Sequence, residues 1–414
     1  MGKKNWISRR HKIIQDIAVL ILGPISRCRY GITVELFEDQ IVQVDGRNKV
    51  RQFLILFNHQ TLFDQFFVGM AFKKKPIYFM ASEDIFSTGW IARLLTWAVA
   101  PIPIRKQVAD IRAVKACLRI AKEGGTIALA PEGNRTYSGR TCNINPAITG
   151  LVRKLKMPVA IFRIEGGYGI HPRWSNVVRK GKMYGSVTRV IEPEEAAGWT
   201  DDELFEVLKD ELTVDDNKVD GEYHHRQSAE YMERAIYVCP ECGFAKFESH
   251  DDTLSCQKCG MQVKYTATKE LNPQKPFRFF GDWYDYQNEF VNRYNPDEHR
   301  DNPVFTDNAD LSEVIVYNRK RPVQKGVQLR LFGDRMEADA GGIDGSNGTG
   351  GTVFRFEDTD AVTVLGKNKL NIYHEGKIWQ LKGDVRFNAL KYVNLFNRYH
   401  NIRKGNPNGK FLGL

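Results

Sequence analysis

The chain has 414 residues, 42% of them hydrophobic and 27% charged, which excludes a low-complexity or disordered protein and suits two or three domains. Sixty basic and 50 acidic side chains give a net charge of +10 and a pI near 9.1, a balance that fits a polyanionic partner, either an anionic membrane surface or a nucleic acid. No run of about 18 apolar residues occurs, so a standard membrane-spanning helix is not expected. Seven cysteines, four clustered late and three scattered, argue against a disulfide framework and for a reducing compartment.

Residues 1–30 carry seven Lys/Arg and one acid. Lys3, Lys4, Arg9, Arg10 and Lys12 precede an apolar stretch through Ile25 that Asp16 interrupts and Pro24 is expected to end. This predicts a basic amphipathic helix lying at a membrane interface; the alternative is a helix packed on the domain core.

Residues 31–200 alternate strands and helices, which predicts an α/β domain with a mixed sheet flanked by helices. After a short strand pair, the buried strand Gln52–Phe57 stops at Asn58-His59. A helix is expected over 61–72 with Thr61 as N-cap, then a strand over 76–80 and a second apolar helix over 85–98. An extended segment ending in Arg105-Lys106, a helix over 108–122 and a strand over 126–130 follow. That strand leads into Pro131-Glu132-Gly133-Asn134-Arg135-Thr136, and Met157–Phe162 is one more buried strand.

His59 at the end of a strand and Asp64 in the first turn of the next helix are spaced for general-base chemistry. An imidazole takes a proton from a hydroxyl better when a fixed carboxylate holds its other nitrogen. The plainer alternative is that Thr61-x-x-Asp64 is only a capping box. The 131–136 turn is either a simple Pro/Gly turn or an anion or polyol site. In the second case Arg135 offers a planar fork, Gly133 admits a ligand to the backbone, and Glu132 orders the arginine or a substrate hydroxyl.

In order, NHQTLFD (58–64), PIPIRK (101–106), APEGNRT (130–136) and MPVAIF (157–162) resemble the four blocks of the glycerolipid acyltransferase superfamily, whose best-known members are 1-acylglycerol-3-phosphate acyltransferases. The resemblance covers roughly residues 30–200. It implies His59 as general base, Asp64 as its orienting carboxylate, and Arg105 beside the acceptor's phosphate. It also implies an acceptor pocket of Glu132, Gly133, Asn134 and Arg135. The chain departs from the pattern at Asn134, where Thr is common, and at Ala81-Ser82-Glu83-Asp84, where a lysine is common. The implied reaction moves a fatty acyl group from acyl-CoA or acyl-carrier protein to a lysophospholipid, foremost 1-acylglycerol-3-phosphate. The implied location is cytoplasmic and peripheral, on the inner face of the membrane. The alternative is a non-catalytic lipid-binding or scaffold protein.

Residues 201–235 read as an acidic linker or helix. Residues 236–268 hold Cys239-x2-Cys242 and Cys256-x2-Cys259, spaced for a structural zinc ribbon. Residues 269–310 form an aromatic linker helix. Residues 311–414 are β-rich with a terminal helix over 389–402, and strands closed by one terminal helix resemble a pleckstrin-homology-like barrel. The C-terminal half lacks a basic, aromatic-interleaved stripe, which makes nucleic acid an unlikely partner.

Overall fold

The computed structural model describes residues 5–82, 86, 90–104, 110–315, 319–340 and 351–409. Arg105 and the glycine-rich run 341–350 lie outside the described residues. The chain divides into two compact units, one of Met1–Arg173 with Val178–His225, the other of Trp174–Val177 with Arg226–Phe411.

The first unit is built on a seven-stranded mixed sheet. Its strands are β1 (Ile32–Val34), β4 (Leu54–Phe57), β5 (Ile77–Ser82), β6 (Ile102–Ile104), β7 (Thr126–Leu129), β8 (Val159–Glu165) and β9 (Met183–Ile191). A separate exposed hairpin pairs β2 (Ile41–Val44) with β3 (Arg47–Val50). The sheet order is β1-β9-β8-β4-β7-β5-β6, parallel throughout except for the antiparallel β8–β9 pair. β4 lies between β7 and β8, and its residues serve two cores by alternation. Leu54 and Leu56 join the side covered by α4 (Ile111–Lys122), α5 (Ala147–Leu155) and α8 (Asp201–Leu212). Ile55 and Phe57 join the side covered by α2 (Asp64–Ala71). A strand buried on both faces reads as an unbroken apolar run. The acidic α8 belongs to this unit, since Leu204, Leu208 and Leu212 enter the same core. Two short helices, α6 (Gly167–Ile170) and α7 (Pro193–Ala197), also belong to this unit.

Helix α1 spans Arg9–Tyr30, 22 residues, with Pro24 inside it. The expectation that Pro24 ends the helix is therefore corrected. Pro24 lies on the exposed side, where the lost N–H bond is least costly. The stop comes at Gly31, whose left-handed backbone (φ +57°) seats it within contact of Gly181. The faces of α1 are inverted relative to an ordinary surface helix. Inward, His11 Nδ1 lies 3.2 Å from the Tyr78 hydroxyl, and Gln15 both donates to Ile77 O and accepts from Ile77 N. Outward, Ile13, Ile17, Leu20, Ile21 and Ile25 are exposed. Packed beside it, α3 (Trp90–Val99) exposes Trp90, Leu94 and Trp97, and Arg10 lies over the Trp97 ring. Among the described residues no helix is long and apolar enough to cross a membrane.

The second unit begins with the cysteine-bearing strands β10 (Val238–Cys239), β11 (Gly243–Phe244), β12 (Phe247–His250), β13 (Thr253–Cys256), β14 (Gln262–Tyr265) and β15 (Leu271–Asn272). Helix α9 (Phe280–Arg293) braces them. Gln287 accepts from the amides of Tyr237 and Val238 and donates to Ala235 O, and the Trp283 indole donates to Val238 O. Then comes a seven-stranded antiparallel sheet of β16 (Phe305–Ile315), β17 (Arg319–Leu331), β18 (Arg335–Ala340), β19 (Thr352–Arg355), β20 (Thr359–Leu365), β21 (Lys369–His374) and β22 (Lys377–Gly383). Its order is β19-β18-β17-β16-β22-β21-β20, with β19 and β20 at the two edges, and α10 (Leu390–Arg403) packs on it.

Candidate active site

Strand β4 delivers Asn58 and His59 to the carboxyl edge of the parallel strands, where α/β sheets place their ligands. Asn58 locks this end. Its amide donates to Ile164 O at 2.8 Å and accepts from Ile164 N at 2.7 Å. The His59 backbone is held on both sides by the 131–136 loop. Its N–H donates to Glu132 Oε1 at 2.7 Å, and its carbonyl accepts from Thr136 N at 3.1 Å. The imidazole side chain is 27% exposed and that of Asp64 is 0%. The ring therefore faces the surface with the carboxylate behind it.

Asp64 opens α2, so the helix begins there and not at Thr61 as the capping pattern suggested. Its carboxylate accepts from His59 Nδ1 at 2.8 Å, from the amides of Gln60 at 2.8 Å and Thr61 at 2.9 Å, and from the Thr61 hydroxyl at 2.5 Å. The capping role and the histidine-orienting role are thus filled by one side chain. Four donors converge on the Asp64 carboxylate, and it stands at the positive end of α2. An ionised partner at Nδ1 keeps the proton on that nitrogen and turns Nε2 into the proton-accepting atom.

Arg135 is the adjacent cation. It is 6% exposed, and its Nη1 is buried without a hydrogen-bond partner. Burial, with the like charge of Arg173, pulls the guanidinium down to about 10, while Asp64, Tyr137 and Tyr30 are close enough to pull the other way. A buried guanidinium with one unused donor nitrogen has the chemistry to receive an anion. Asn134 is buried, with Oδ1 3.5 Å from Arg173 Nη2. Gly133 has a left-handed φ of +71° and open space where a Cβ would stand, so both the turn and access to the backbone require glycine.

Glu132 does something the sequence did not indicate. It is buried, and its two oxygens accept from His59 N at 2.7 Å and Cys142 N at 2.6 Å. Burial pushes its carboxyl up to about 8 against the pull of those amides. It acts as a backbone clamp for the His59 strand end. Burial also raises the Cys142 thiol well above its usual range, which makes it a poor nucleophile. Arg173, in a stretch the sequence offers either as an acceptor-facing loop or as structure, supports the site from the side. Its Nη1 donates to Arg135 O at 3.0 Å and its guanidinium stacks 4.2 Å from the Tyr137 ring, so it holds the loop that carries Arg135. The Gly166–Tyr168 loop is tied down by Asp216, which accepts from Gly166 N and Gly169 N, and by Gln60, which accepts from Tyr168 N.

In the second unit the four Sγ atoms of Cys239, Cys242, Cys256 and Cys259 lie within 4.8 Å of one another. Cys239–Cys259 and Cys242–Cys256 are 3.6 and 3.7 Å apart. A tetrahedron with metal–sulfur bonds of about 2.3 Å has edges of about 3.8 Å, whereas a disulfide needs about 2.05 Å. Gly243 and Gly260, at φ +75° and +78°, supply the left-handed turn after each pair. The donor set and spacing therefore fit a tetrahedral thiolate site.

Residues 41–165 match the family model described as Acyltransferase. Among solved structures, the crystal structure of the 1-acyl-sn-glycerophosphate (LPA) acyltransferase PlsC from Thermotoga maritima is similar at 19% identity. The match covers 50% of this chain and 83% of that chain, with a TM-score of 0.38. At that score the likeness carries no argument about function. No curated protein sequence matches.

The clamp generates a stability prediction. Glu132→Ala leaves two inward-facing amides without an acceptor and costs about 2–4 kcal/mol. Urea unfolding should show a lower midpoint with an unchanged slope, and an unchanged midpoint would refute the clamp.

Proposed function

We propose, from the match of residues 41–165 to the Acyltransferase family model, that the chain is a member of the glycerolipid acyltransferase superfamily and transfers a fatty acyl group from a thioester donor to the hydroxyl of a lysophospholipid, foremost 1-acylglycerol-3-phosphate. The observation that carries this reading is the 2.8 Å contact between His59 Nδ1 and the buried Asp64 carboxylate, beside the unpartnered Nη1 of Arg135. His59 Nε2 takes the proton of the acceptor hydroxyl as its oxygen attacks the thioester carbonyl. The C–S bond then breaks, and the thiolate recovers the proton. A thioester is already activated, so no enzyme nucleophile is required, and positioning with charge stabilisation suffices. Arg135 receives the acceptor's phosphate, with Gly133 and Asn134 beside it. Arg105, outside the described residues, is proposed as a second cation for that phosphate. The donor is acyl-CoA or acyl-carrier protein.

The reading extends to membrane contact. The outward apolar stripe of α1 and the exposed Trp90, Leu94 and Trp97 of α3, set among Arg9, Arg10 and Lys12, suit an anionic bilayer surface. Such contact corresponds to a peripheral position on the inner face of the membrane. Leu62, 52% exposed and three residues from His59, carries apolar surface to the site itself. The four cysteines are proposed to hold a structural zinc, with every position filled by thiolate, so the metal orders the second unit and takes no part in acyl transfer.

Three variants separate these roles. With labelled acyl-CoA or acyl-carrier protein and a lysophospholipid panel, His59→Ala should lower turnover by about 10³-fold. Arg135→Gln should raise KM about 10- to 100-fold for acceptors ending in phosphate and leave other acceptors nearly unchanged. Equal turnover by His59→Ala removes the proposed base. Native mass measurement should find one zinc per chain, lost in Cys239→Ser. A metal-free chain with full thermal stability would remove the zinc assignment.

A further inference from the structure

A groove of about 370 Å³ opens on the second unit's large sheet, and four of its lining side chains are Lys320, Lys325, Lys369 and Lys382. Asp310 is the one acid that lines it. Its carboxylate already accepts from Gly326 N at 3.0 Å, and it stands opposite Lys382 in the β16–β22 register. Across the other edge of β22, Lys382 is directly opposite Lys369. Like charges facing each other across an antiparallel pair are destabilising. Among the described residues Lys325, Lys369 and Lys382 have no ion pair to offset that cost.

Lys320 is set differently. Its Nζ donates to Gln380 Oε1 at 2.5 Å, and Gln380 in turn donates to Asn371 Oδ1 at 2.7 Å. Gln380 is 3% exposed and Asn371 is 0%. A buried amide relay across two strands therefore anchors one ammonium at the groove wall, while the Lys369–Lys382 pair lies further along it. We propose that this groove binds a phosphate-bearing anion, either a soluble phosphomonoester or the headgroup of an anionic phospholipid. Ammonium groups are point-charge donors suited to phosphate oxygens. A ligand with two negative charges would offset the Lys369–Lys382 repulsion. The groove shares no residue with the 131–136 loop and does not rest on the acyl-transfer reading.

Amine labelling of the full-length protein tests it, with each lysine read separately by mass spectrometry. The probes are inorganic phosphate, sn-glycerol 3-phosphate, phosphatidylcholine vesicles, and the same vesicles containing phosphatidic acid, each against sodium chloride at matched ionic strength. Lys377, exposed on the same strand β22, is the internal control. Binding should slow labelling of Lys369 and Lys382 by about tenfold at saturation relative to Lys377, because a phosphate-held ammonium is both covered and kept protonated. Protection by the soluble phosphates identifies a small-molecule site. Protection only by vesicles with phosphatidic acid identifies a headgroup site. Equal labelling under all conditions, or protection matched by sodium chloride, overturns the proposal. Lys369→Gln with Lys382→Gln should abolish protection at Lys320 and Lys325 while unfolding at no lower temperature than the parent.

Discussion

The first unit depends on where one carboxylate is held. Asp64 sits at the first residue of α2 with no solvent exposure, and it gathers two backbone amides, one hydroxyl and one imidazole nitrogen. A charge buried this way is tolerable only because every lone pair has a donor and the helix end is positive. The same saturation leaves Asp64 nothing else to do but fix the ring of His59. The orientation of the His59 ring and local stability therefore come from one set of bonds, and neither can be altered alone.

Around that centre the polar groups follow a division of labour. Glu132, Asn58 and Arg173 spend their hydrogen bonds on backbone, and so hold the His59 strand end and the Arg135 loop in register. Arg135 is the exception, with a donor buried and unused. An arrangement in which the supporting groups are satisfied and one cation is not is what a site awaiting an anion requires. Helix α1 repeats the theme at larger scale, with polar side chains bonded inward and isoleucines facing out. Its last residue, Tyr30, is close enough to Arg135 to act on the guanidinium's charge.

Much of this was legible in the sequence because it is local. The strand that ends in His59, the spacing to Asp64, the turn around Gly133 and the two CxxC pairs are all short-range patterns. The terminal helix, expected over 389–402, is found over Leu390–Arg403. What was not legible depends on partners far along the chain. Glu132 reads as a ligand residue in the sequence because its donors, the amides of His59 and Cys142, cannot be inferred from its neighbours. Pro24 looked like a helix end because nothing local says which side of the helix faces out. Nothing local marks β16 and β18 as strands, since FTDNADLSEVI and RMEADA carry acids and amides that lower strand propensity, and pairing with β17 overrides it. The pleckstrin-homology likeness is a matter of topology that alternation alone does not specify, and the sheet found here leaves β19 and β20 unpaired with each other.

The account turns on which nitrogen of His59 carries the proton, and nitrogen NMR of selectively labelled imidazole reads that directly. The account predicts a neutral ring protonated at Nδ1, with that proton shielded from exchange by its carboxylate partner and exposed to exchange in Asp64→Asn. A ring protonated at Nε2, or an Nδ1 proton that exchanges equally fast with and without the carboxylate, would contradict it.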